Sequence, residues 1–133
     1  MGYQEFMISI TDKNKDEIAK KISDSLDANN FLYSLGFVAT LKEPLKIYDL
    51  DGEVLNPLLR KGDKFLVLTG DRHECDYILQ QLNITYYGIE TIIRCAIDQG
   101  YCNNYNEYSK IFDDEKYLSP EERKDALEDL EYN

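Results

Sequence analysis

The chain is short of the residues that most chemistries and most anchors need. It has one histidine, three prolines and three cysteines among 133 residues, and no apolar run near the ~18 residues that a membrane span requires. With His73 as the lone histidine, no Ser/His/Asp or Cys/His nucleophilic set can be assembled. Neither GxGxxG nor GxxxxGK[ST] occurs, so no loop is built to cradle phosphates. Cys75, Cys95 and Cys102 are an odd, widely spaced set, which predicts free thiols in a reducing compartment and not a disulfide framework. The opening MGYQEFMISITDKNK lacks a basic flank followed by an apolar stretch, so a soluble, unexported, cytoplasmic protein is expected. Bases are scattered among acids without a patch, and a net charge of −11 repels nucleic acid and anionic membrane alike.

What is present is a core-sized apolar fraction and a segregated charge. At 43% apolar content and 133 residues, one domain spanning 1–133 with one buried core is expected. Residues 103–133 carry ten Asp/Glu against four Lys/Arg, a net of −6, leaving −5 for residues 1–102. Seven of the 11 tyrosines lie in the last 48 positions. The chain thus divides into a core region, 1–102, and an acidic, tyrosine-rich extension, 103–133, expected to be helical and docked.

Periodicity predicts the elements. Phe6, Ile8 and Ile10 alternate with polar neighbours, as in a half-buried strand. Asn14 and Glu17 form a capping-box pattern before a helix with Ile18, Ala19, Ile22 and Leu26 on one face, closed by Asn29 and Asn30. Leu32 to Leu41 reads as a strand bent or bulged at Gly36. Asp51-Gly52, between Leu45–Leu50 and Glu53–Leu55, suits a two-residue hairpin turn with positive φ at both central positions. Phe65 to Leu68 is a buried strand, and Asp71 with Glu74 opens a helix carrying Cys75, Ile78, Leu79 and Leu82. Ile89 to Ile97 form another, stopped by Gly100. Asn104 and Glu107 suggest a further helix striped by Tyr105, Tyr108, Ile111 and Phe112, and Ser119-Pro120-Glu121-Glu122 opens the last. Strands first and helices afterwards argue for α+β: an N-terminal strand-helix-strand and a hairpin in a mostly antiparallel sheet, then three to four helices.

Three candidate sites follow. The string Ile47-Tyr48-Asp49-Leu50-Asp51-Gly52 resembles the first motif of haloacid-dehalogenase-like phosphohydrolases, and KFLVLTGDR at 64–72 resembles that family's strand ending in a phosphate-binding threonine. The resemblance implies magnesium-assisted phosphoryl chemistry with Asp49 as nucleophile, Asp51 as acid and base, and Thr69 on the phosphate. Glu53 departs from the pattern, standing where the family has threonine, and the favoured reading of Asp51-Gly52 is a hairpin turn. For a metal, His73 and Cys75 lie about 200° apart around a helix, and no short CxxC-type spacing exists, so neither a metal nor any other cofactor is expected. The third candidate is the acidic extension, where Tyr105, Tyr108, Asp113, Asp114, Glu115, Tyr117, Glu121 and Glu122 combine carboxylates that steer a basic protein with tyrosines that anchor it. The favoured reading is a non-catalytic protein that binds a basic partner as inhibitor, immunity factor or nucleic-acid mimic. The alternatives are a reduced phosphohydrolase and a structural accessory subunit of a larger complex.

Overall fold

The computed structural model describes residues 2–132, apart from the side chains at 56, 57 and 132. Its elements run β1 (Tyr3–Ile10), α1 (Lys15–Ala28), β2 (Tyr33–Leu41), β3 (Leu45–Tyr48), β4 (Val54–Leu59), β5 (Lys64–Asp71), α2 (Arg72–Gln81), β6 (Tyr86–Gly88), α3 (Ile89–Asp98), a 3-10 turn (Tyr108–Lys110), β7 (Phe112–Lys116) and α4 (Pro120–Tyr132). The class is α+β, as the element order predicted. Five strands form one sheet in the order β6-β1-β5-β2-β7, with β5 at its centre, and β3 and β4 pair separately. All five pairings are antiparallel. Strands β1, β2, β5 and β6 with helices α1 and α2 follow the β-α-β-β-α-β connectivity of ferredoxin-like folds, into which the β3–β4 hairpin is inserted.

Period-2 alternation sends side chains to two separate cores. On one face Phe6, Ile8, Val38, Leu66 and Leu68 meet Ala19, Ile22 and Leu26 of α1 and Cys75, Ile78 and Leu79 of α2. On the other, Met7, Ala39, Leu41, Phe65 and Val67 meet Leu45, Ile47 and Leu59 of the hairpin and Ile92, Ile93, Cys95 and Ala96 of α3. The expected bulge falls at Gly36, where the β2–β5 register skips one residue between Leu35 and Phe37. That skip lets Leu35 and Val38 both face the helical layer.

Three local readings are corrected. Asn14 does not cap α1 through its side chain; its Oδ1 instead accepts the Thr11 N–H at 2.7 Å while the Thr11 hydroxyl accepts the Asn14 N–H, so the exchange closes the preceding turn. Asp51-Gly52 lies within a longer loop, and of the two only Gly52 has positive φ, +85°. The Asp49 carboxylate shapes that loop by accepting the N–H groups of Asp51 and Glu53, each at 2.9 Å. The helix expected from Asn104 does not form. Asn104 Oδ1 accepts the Asn106 N–H, Glu107 Oε1 accepts the Asn103 N–H, and Phe112 begins an edge strand beside β2. By contrast, Asp71 caps α2 as expected, taking the His73 and Glu74 N–H groups at 3.0 Å.

Candidate functional site: an acidic, tyrosine-walled cleft

The second face of the sheet carries the hairpin packed against α3 towards one end. There α3 holds the hairpin through its polar side chains: Arg94 donates to the carbonyls of Tyr48 and Asp49, and Gln99 exchanges two hydrogen bonds with the backbone of Lys46. At the other end Glu5 of β1, Thr69 of β5 and Ser34 of β2 stand abreast, since Thr69 is the cross-strand partner of both neighbours. They floor a cleft of about 470 Å³ together with Val67 and Phe37; Ile89 and Ile93 of α3, Tyr105, Tyr108 and Asp114 form its sides.

The electrostatics of this cleft are one-sided. Among the described residues no Lys, Arg or His lines it. The Tyr108 hydroxyl donates to Asp114 Oδ1 at 2.7 Å, and its pKa is raised well above the ordinary tyrosine value by burial, by that bond and by the charges of Asp114 and Glu5. Phe37 and Tyr105 remain 50% and 56% exposed, so two aromatic surfaces of the lining are open to solvent.

The residues expected to bind a partner fall in three places. Tyr105, Tyr108 and Asp114 join Glu5 in the cleft, and Glu5 carried no sequence signal because its place depends on the β1–β5 register. Asp113 and Glu115 alternate to the opposite face of the edge strand, where Lys42 lies 3.5 Å from Asp113. Tyr117, Glu121 and Glu122 line a separate groove between α1 and the start of α4. In that groove Asp16 accepts from the Tyr117 hydroxyl at 3.1 Å and from Arg123 at 2.6 Å. Burial and the hydrogen bond to Asp16 push Tyr117 up to about 12. Burial alone would raise Asp16, yet the bonds from Arg123 and Tyr117 hold it below the usual carboxylate range. Beyond this first turn α4 leaves Leu127 and Leu130 62% and 72% exposed.

Asp49 begins the loop after β3, in an antiparallel hairpin outside the five-stranded sheet, and Thr69 floors the cleft on β5. The hairpin therefore offers none of the central parallel strand on which the phosphohydrolase family carries its nucleophile. Among the described residues no group of three or more His, Cys, Asp or Glu is placed to hold a metal ion. All three cysteines are free and buried, and burial pushes the Cys75 thiol up to about 11. No described helix is long and apolar enough to cross a membrane. No family model, curated protein or solved structure matches the chain.

Proposed function

We propose that the protein is a non-catalytic binding module for a basic protein partner, working in the cytoplasm as an inhibitor, immunity factor or nucleic-acid mimic. The observation that carries this reading is the cleft with its acidic rim: carboxylates and exposed aromatic rings converge there without one lining cation among the described residues. On the opposite face of edge strand β7, Asp113 and Glu115 add two further exposed carboxylates. Such a surface draws a basic partner over several ångströms and then anchors it on aromatic area. Neutralising Asp113, Asp114, Glu115, Glu121 and Glu122 to their amides tests the reading. All five are exposed, so the fold should survive while retention of basic proteins from the source lysate on the immobilised chain is lost. Undiminished retention by that variant would contradict the proposal.

A further inference from the structure

We infer that the cleft is a receptor for one arginine side chain, inserted from the partner or presented as a free alkylguanidinium. The inference rests on the function proposed above and names the chemical group that the site takes. The Tyr108 hydroxyl directs its hydrogen at Asp114, so its oxygen offers only lone pairs to a ligand. Glu5 and the hydroxyls of Thr69 and Ser34 supply further acceptors along one cross-strand row, and the second Asp114 oxygen adds another from the edge strand. A guanidinium is the matching group, because it carries five N–H donors in a planar fork and no acceptor.

The rest of the lining suits the stem and the plane of the same side chain. Val67, Ile89 and Ile93 provide apolar contact for three methylenes, while the exposed rings of Phe37 and Tyr105 offer faces on which a guanidinium can stack. A lysine ammonium would find the charge but would use three donors around a point, leaving part of the acceptor row unmet. Lys116 follows two residues after Asp114 on the same strand face and pairs with Phe37, yet stands outside the lining. Its charge opposes an incoming cation.

The test is an NMR titration of the ¹⁵N-labelled full chain with butylguanidinium at low ionic strength, with butylammonium in parallel. Saturable shifts confined to the amides of Glu5, Ser34, Thr69, Tyr105, Tyr108 and Asp114 are expected, with butylammonium binding more weakly. Glu5→Gln, an exposed change, should weaken butylguanidinium about tenfold, the loss of one charge-assisted contact; Asp114→Asn should do likewise and Lys116→Glu should tighten it. Equal affinity for the two cations, shifts spread over α4, or indifference to Glu5→Gln would overturn the inference. If those results came with salt-dependent retention of basic proteins intact, the arginine receptor alone would fall; loss of that retention would take the binding function with it.

Discussion

Gly70 occupies the point where β5 hands over to α2, and its backbone is not unusual; the constraint is space. A Cβ there would lie 2.6 Å from Cys75 Sγ and 3.3 Å from the Leu32 carbonyl oxygen. Gly70→Ala should therefore cost about 1–3 kcal/mol, as overpacking does, measured by urea unfolding. Cys75→Ala in the same chain should return part of that loss, a coupling that independent sites would not show. Tyr117 makes the pH dependence specific. Its pKa is about 12 in the folded protein against an ordinary 10.0, so on raising pH the unfolded chain loses this proton first. The native state then holds more protons at this position between those values, so the contribution of Tyr117 to stability falls with rising pH across that window and is level below it. Tyr117→Phe should flatten the fall in urea midpoints measured from pH 9 to 11.5; an unchanged slope would show that other groups cause it.

At the scale of elements, strong periodicity was readable and context-dependent pairing was not. β1, α1, α2 and α3 announce themselves because each carries a full apolar stripe that a core must cover. β7 does not, since four of its five residues are charged and exposed. It is a strand because β2 presents a free edge and because Phe112, buried beside Phe65 at 5.9 Å, anchors one end. Charges on such an edge also discourage uncontrolled strand addition. The caps at Asn104 and Glu107 misled for a related reason: the same side-chain oxygens satisfy a turn as readily as a helix start. Phe112→Ala should cost about 3–5 kcal/mol in urea unfolding. It should also raise amide exchange at 112–116 before the rest of the sheet; uniform exchange would show that β7 is held by its hydrogen bonds and not by this ring.

For the whole molecule, the sequence located the charge but not the shape that displays it. Composition identified an acidic, tyrosine-rich third, and Ser119 does begin a helix there, its hydroxyl accepting the Glu122 N–H at 3.2 Å. The fold then divides that third among the two faces and the edge of the sheet, so Tyr105 and Tyr108 share a cleft with Glu5 from the first strand while Tyr117 meets Asp16 across the other layer. Contacts between residues about a hundred positions apart depend on strand order, which no local pattern encodes. The account's central claim is that this acidic surface binds a basic protein. Retention of partners from the source lysate on the immobilised chain, followed as salt is raised to about 1 M, where charges are screened within about 3 Å, tests it most directly. Retention at low salt that is progressively lost is the predicted result; no retained partner at low salt, or retention indifferent to salt, would contradict it.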